Sequence, residues 1–134
     1  MKTQHLKIIL TRTFIIFSSV ALIAVSMMAF HDPQEVMNLV QVKLTSTDAY
    51  SSIRGVYGGV GLTIVLTMCM LLRKQVKLAL TILCLLWGLY AASRLLTIVL
   101  DGPLGAFGTQ WLYTETILFG IAASLRISLR NSEA

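Results

Sequence analysis

The sequence predicts an all-α integral membrane protein built from four membrane-spanning helices. Three observations predict it. Apolar residues (Ala, Val, Ile, Leu, Met, Phe, Trp, Tyr and Cys) make up 56% of the 134 residues and charged residues only 13%, whereas an ordinary soluble domain carries about 25% charged residues. Mean hydropathy is accordingly high, at +0.78. Four apolar stretches each reach the roughly 20 residues that a helix needs to cross the hydrocarbon core. Strand-like alternation is absent, which removes a β-barrel and leaves helices to satisfy the backbone in lipid. The same composition excludes disorder. Two cysteines are too few for a disulfide scaffold.

The spans follow in order, as one four-span domain covering residues 1–134. The first covers residues 11–30, the second 53–72, the third 78–100 and the fourth 110–129. A basic leader (Lys2, Lys7, Arg12) before the first span has the look of a signal peptide, with Ala24 and Ser26 as a weak cleavage site. The apolar run from Phe14 to Phe30 is longer than a signal-peptide core, so it reads as a retained span.

Orientation follows from lysine and arginine near the span ends. Lys2, Lys7 and Arg12 precede span one. Arg73, Lys74 and Lys77 lie between spans two and three, and Arg126 and Arg130 close span four. The opposite side carries Lys43 and Arg54, and collects Asp32, Glu35, Asp48 and Asp101. Both termini are therefore expected in the cytoplasm of a plasma (inner) membrane, with two loops outside. The net charge of +5 is this topology signal. A nucleic-acid partner is not expected, because no basic stripe with stacking aromatics is present.

The first outer loop, His31 to Ser52, reads as ordered. Asp32, Pro33 and Glu35 suit the N-cap, N1 and N3 positions of a short helix. Val36, Leu39, Val40, Lys43 and Leu44 then share one face, so the helix either lies in the membrane interface or caps the bundle. Ser46, Thr47 and Asp48 are candidate caps for span two, whose helix is expected to start near Asp48. In the second outer loop, Gly102, Pro103, Gly105 and Gly108 make a short turn between antiparallel neighbours. Trp111 and Tyr113 follow it, where aromatic belts form.

Three charges fall inside the spans: Arg54, Arg94 and Glu115. Intramembrane charges face a partner or a cavity. Arg94 precedes Leu100 by six residues, about 9 Å, and Glu115 follows Gln110 by five, about 7–8 Å, at 1.5 Å per residue. All three lie in the outer half and can meet if their helices are neighbours. At helical spacing, Arg54 shares a stripe with Tyr57, Gly58 and Gly61, Arg94 with Trp87, Tyr90 and Ala91, and Glu115 with Trp111, Leu118 and Ala122. Tyr57 and Tyr90 are then hydrogen-bonding walls of a candidate polar pocket, and Asp101 stands at its lip. With Asp101 turned inward the set is neutral. With Asp101 in water it prefers an anionic or carbonyl-bearing amphiphile, such as a lipid headgroup or a quinone. The alternative is a structural or partner-binding subunit whose charges only fix helix packing.

Gly55 and Gly59 form a G-x-x-x-G pair, with Gly58 and Gly61 beside them. Such glycines let helices approach closely, either inside the monomer, which is the preferred reading, or across a homo-oligomer. Gly88, Ala91 and Ala92 offer a facing small surface. No metal or cofactor is expected, since Cys69 and Cys84 form no C-x-x-C and His5 and His31 lie near opposite membrane faces. No phosphate-binding loop, nucleophile elbow or H-E-x-x-H occurs, so no catalytic residue is assigned and an enzyme is the less favoured reading. No inverted repeat suggests a transporter.

Several of these residues also carry a family likeness. The stretch Ile53-Arg54-Gly55-Val56-Tyr57-Gly58-Gly59 resembles the R-x-Y-G-G entrance to the second helix of the bacterial domain-of-unknown-function family 4345. Ser93-Arg94-Leu95-Leu96 followed by Asp101-Gly102-Pro103 resembles its third helix and exit, and Glu115 matches an acidic position in its fourth. The likeness covers roughly residues 10–130. It departs at Gln110-Trp111, where the family's fourth helix starts more apolar. The resemblance implies a four-helix bacterial inner-membrane protein with no assigned activity. A looser likeness, at the level of fold alone, is to the DoxX-like membrane proteins, some of which serve quinone-linked oxidation.

Overall fold

The computed structural model describes residues 2–130, and all regular structure among them is helical. The elements are α1 (Lys2–His31), α2 (Pro33–Asn38), α3 (Thr47–Ile53), a π-helical stretch (Arg54–Val60), α4 (Gly61–Leu71), α5 (Val76–Leu100) and α6 (Ala106–Arg130). Four helical runs are long and apolar enough to cross a membrane: Gln4–His31, Thr47–Leu71, Val76–Leu100 and Ala106–Arg130. Val99 is 80% exposed and Met70 79%, and such open apolar surface suits lipid rather than water. Each run begins before its apolar section does, most clearly at Thr47 and Ala106.

Many of the hydroxyl groups within these runs are satisfied locally. Thr11 donates to Lys7 O, Ser26 to Leu22 O, Thr63 to Gly59 O and Thr67 to Thr63 O. Thr97, Thr114 and Thr116 do the same one turn back along α5 and α6. In hydrocarbon an unpaired hydroxyl is costly, and bonding back to the preceding turn removes that cost without a second helix.

The chain divides into two compact units. One contains α1 up to Ile15 together with the chain from Leu71 onward, and the other is Ile16–Met70. In the first unit, α5 and α6 are joined by the turn after Asp101. Asp101 N–H closes the last turn of α5 on Thr97 O at 2.8 Å, and Gly102 follows at φ +104°, a backbone that only glycine adopts freely. The two helices run antiparallel. Arg94 meets Glu115, Gly88 meets the Phe119 ring, and Thr81 meets Arg126, in opposite order along the two chains. Lysine and arginine also tie down the carbonyls at this unit's basic end. Lys7 Nζ donates to Ser128 O at 3.2 Å, and an Arg12 guanidinium nitrogen donates to Arg73 O at 3.5 Å. Cations at helix C-termini complement the exposed carbonyl dipoles there.

In the second unit, α1 ends because Asp32 precedes Pro33, and a residue before proline is driven from helix to extended backbone. Asp32 is extended (φ −141°) and its carboxylate accepts from Gln34 N–H, capping α2. Val36 and Met37 of α2 are buried against Ala29 of α1. Ser46 Oγ accepts from Ala49 N–H and caps α3. The short helix expected after His31 exists, but it stops at Asn38. The expected continuous face through Leu39, Val40, Lys43 and Leu44 is therefore broken, and Leu39, Val40 and Val42 stand exposed in a turn.

The Gln34 side chain is the reason for the break. Its Nε2 donates to Asn38 Oδ1 at 2.7 Å and to Val42 O at 2.9 Å, and its Oε1 accepts from Leu44 N–H at 2.9 Å. These bonds fold the chain back and carry Gln41 at φ +59°, a conformation costing a non-glycine residue about 1–2 kcal/mol. Gln34→Ala is expected to free this turn. Hydrogen–deuterium exchange at the Leu44 amide should rise at least tenfold, while the α5 core amides keep their protection.

Candidate functional site

Arg94 on α5 and Glu115 on α6 form a bidentate ion pair. Arg94 Nε lies 2.6 Å from Glu115 Oε2, and a terminal guanidinium nitrogen lies 2.8 Å from Oε1. The fork of the guanidinium matches the carboxylate plane, the strongest form of such a contact. The two partners differ in access. Glu115 is 2% exposed and the Arg94 side chain 25%. Sequence depth alone placed them level, and the antiparallel turn at Asp101–Gly105 brings them face to face.

Buried residues flank the pair on both helices. Trp87, two turns before Arg94, is buried, and its ring meets Tyr90 edge-on with centroids 6.2 Å apart and planes 74° apart. Ala91 is buried on the same face. Phe119 lies over Gly88, where an added Cβ would come within 2.9 Å of its ring. Ala122 is fully buried one turn further along α6. At the opposite end of the pair, Arg126 Nε donates to Thr81 Oγ1 at 2.8 Å, and that hydroxyl donates on to Lys77 O. Thr81 and Arg94 are 13 residues apart, about 20 Å along the helix, so polar contacts pin α5 to α6 at two well-separated levels.

The guanidinium of Arg94 carries five N–H donors. Two meet Glu115, and the other three take no acceptor among the described residues. Tyr90 precedes Arg94 by one turn and is 44% exposed, so a part-open arginine and a part-open phenol share one face of α5. Asp101 is exposed at the end of α5 and makes no ion pair among the described residues.

Arg54 and Tyr57 lie in the other unit. Arg54 is exposed, and its Nε donates to Phe30 O at 3.3 Å, the last-turn carbonyl of α1. Tyr57 is 39% exposed. The backbone from Arg54 to Val60 is π-helical rather than α-helical, with more than 3.6 residues per turn, so the 3.6-residue stripe expected there is underwound at its start. Within it Gly58 is buried against the Phe30 ring, and just after it Gly61, the first residue of α4, abuts Ser26 of α1. Gly55 and Gly59, the G-x-x-x-G pair itself, face open space. The close approach on α1 is made by the other two glycines. The Gln34 latch and the Arg126–Thr81 contact were not anticipated. Two hydrogen-bonding side chains with many equivalent partners leave no distinctive spacing.

With this geometry in place, comparison with known proteins is informative at one level. The family model described as Domain of unknown function (DUF4345) matches residues 10–125. The chain belongs to this family. No curated protein and no solved structure matches it, and the looser likeness to DoxX-like proteins gains no support. The DUF4345 match takes in the ion pair, the π-helical stretch and the Gln34 turn alike. The family description carries no activity.

Proposed function

We propose that this protein is a small, non-enzymatic, multi-pass protein of the bacterial inner membrane that binds an amphiphile at Arg94. The reading is carried by one observation. Glu115 is held almost wholly inside, while its partner Arg94 stays partly open and has three N–H donors that meet no acceptor among the described residues. A charge retained inside a membrane span is a functional feature by default. Because the pair is neutral, excess charge does not draw the ligand in. Geometry selects it, through an oxygen acceptor such as a lipid phosphate, a carboxylate or a quinone carbonyl. Tyr90 supplies an aromatic wall beside the guanidinium, and Asp101 stands at the outer lip. On this reading both termini are cytoplasmic and the pair lies toward the outer leaflet.

The test separates binding from folding. The double variant Arg94→Leu/Glu115→Leu keeps an apolar, paired interior and is expected to fold. Native mass spectrometry from mild detergent should show a discrete adduct on the wild type that this double variant has lost. Equal adduct occupancy on both proteins would refute the ligand role.

The second reading is a packing role alone, and the bidentate geometry favours it as well. It predicts a bare wild-type chain under the same gentle release.

A further inference from the structure

We infer that the turn between α2 and α3 is a second, separate binding site, for the phosphate-bearing headgroup of a membrane phospholipid. It does not depend on the Arg94 reading. An open cleft of about 450 Å³ lies against this turn, within the size range of small-ligand sites. Its walls carry Asn38, Gln41, Lys43 and Tyr50 and no carboxylate. Gln34, also in the wall, has both amide atoms engaged in holding the turn. It is scaffold rather than ligand-binding group. Asn38 uses only its carbonyl oxygen, in accepting from Gln34. Its NH₂ group, the Gln41 side-chain amide, the Lys43 ammonium and the Tyr50 hydroxyl have no partner among the described residues. Four donor groups, one of them cationic, belong to residues that line one cleft. That set fits an anionic, oxygen-rich group.

None of the acidic side chains nearby lines the cleft. The Asp32 carboxylate caps α2, and Glu35 and Asp48 lie outside the cleft wall.

The apolar rim decides the source of that anion. Leu39, Val40 and Val42 are each 45–48% exposed at the tip of the turn, next to Lys43. A free phosphate has no use for them, whereas a lipid places its glycerol and upper chains there. Position agrees. Asp32 alone separates α1 from α2, and α2 has six residues, about 9 Å of helix. The far side of the turn leads within a few residues into the run that starts at Thr47. The tip is therefore tethered close to two span ends. The Gln34 latch forms it before any lipid arrives, so binding loses little conformational entropy.

The test uses the full chain with Val40→Cys as a spin-label site, in a Cys69→Ser/Cys84→Ser background. The protein is placed in nanodiscs of phosphatidylcholine, with or without phosphatidylglycerol. The label is expected to collide more with oxygen than with a water-soluble nickel chelate in both discs, and to lose mobility when phosphatidylglycerol is present. Lys43→Gln, an exposed change that leaves the latch intact, should reduce the phosphatidylglycerol preference about fivefold, the worth of one lysine at an anionic surface. Chelate access equal to that of a label at exposed Thr45 would overturn the proposal. So would indifference to phosphatidylglycerol. The same Lys43-dependent change produced by inorganic phosphate in phosphatidylcholine discs would show a soluble-anion site and reject the lipid. Dipolar broadening that vanishes on dilution with unlabelled chain would put a second copy on the turn instead.

Discussion

Arg94→Leu is expected to destabilise the folded protein by about 3–5 kcal/mol, the usual loss when one member of a buried ion pair is removed. Glu115→Leu is expected to cost distinctly less. The asymmetry follows from access. Removing the arginine strands a carboxylate that is 2% exposed, whereas removing the carboxylate leaves a guanidinium on a side chain 25% exposed, with a long stem that can carry its charge toward the interface. The double Leu/Leu variant should recover most of the loss, because two apolar side chains need no solvation. Reversible unfolding in detergent, read as a double-mutant cycle, checks all three values. Equal single-mutant losses, or a double variant as unstable as Arg94→Leu, would contradict the burial argument.

The second large effect concerns the glycines. Gly61→Ala is expected to lower stability by about 1–3 kcal/mol, the range for overpacking a filled contact. The new methyl would overlap Ser26 Oγ, which is fully buried and bonded to Leu22 O at 2.8 Å. Combining it with Ser26→Ala should restore most of the loss, since the Ser26 Cβ itself stands 3.4 Å away. Gly58→Ala should cost less, because the Phe30 ring it meets is 42% exposed and can swing outward. Gly55→Ala and Gly59→Ala should be neutral, or stabilising by up to about 1 kcal/mol, since alanine is the better helix former. Thermal unfolding of the four single variants gives the order directly. A marked loss at Gly55 or Gly59 would mean that the open G-x-x-x-G face is covered by a second protein surface.

The spans were legible because length and apolarity are sufficient for them. The first turn of the second span was legible too, in the capping residues Ser46, Thr47 and Asp48, and the helix starts at Thr47 behind the Ser46 cap. That of the fourth span was not: Gly108 and Thr109 read as turn, yet the helix starts at Ala106. The beginning of α2 was legible in Asp32-Pro33, a pair with a backbone meaning. Its end was not, because it depends on one glutamine reaching residues eight and ten positions ahead. The Arg94–Glu115 pair was legible from depth, since charge in a span needs a partner. Thr81 was not, because its hydroxyl looks like every other in the spans. The π-helical stretch had a signal in four glycines within seven residues, which leave the backbone little preference for its own winding.

The division of α1 between two units has a consequence in time. The Lys7 ammonium finds its acceptor at Ser128 O, 121 residues later in the chain. At about 5–20 residues per second of synthesis, the ribosome needs roughly 6–24 s to supply that carbonyl. The chain from Ile16 to Met70 can complete its own contacts in that interval, while the first half of α1 waits. The α5–α6 hairpin emerges later and joins the unit of a segment made earlier. A defect in that hairpin therefore leaves the first half of α1 without these partners, while the turn between α2 and α3 keeps its own.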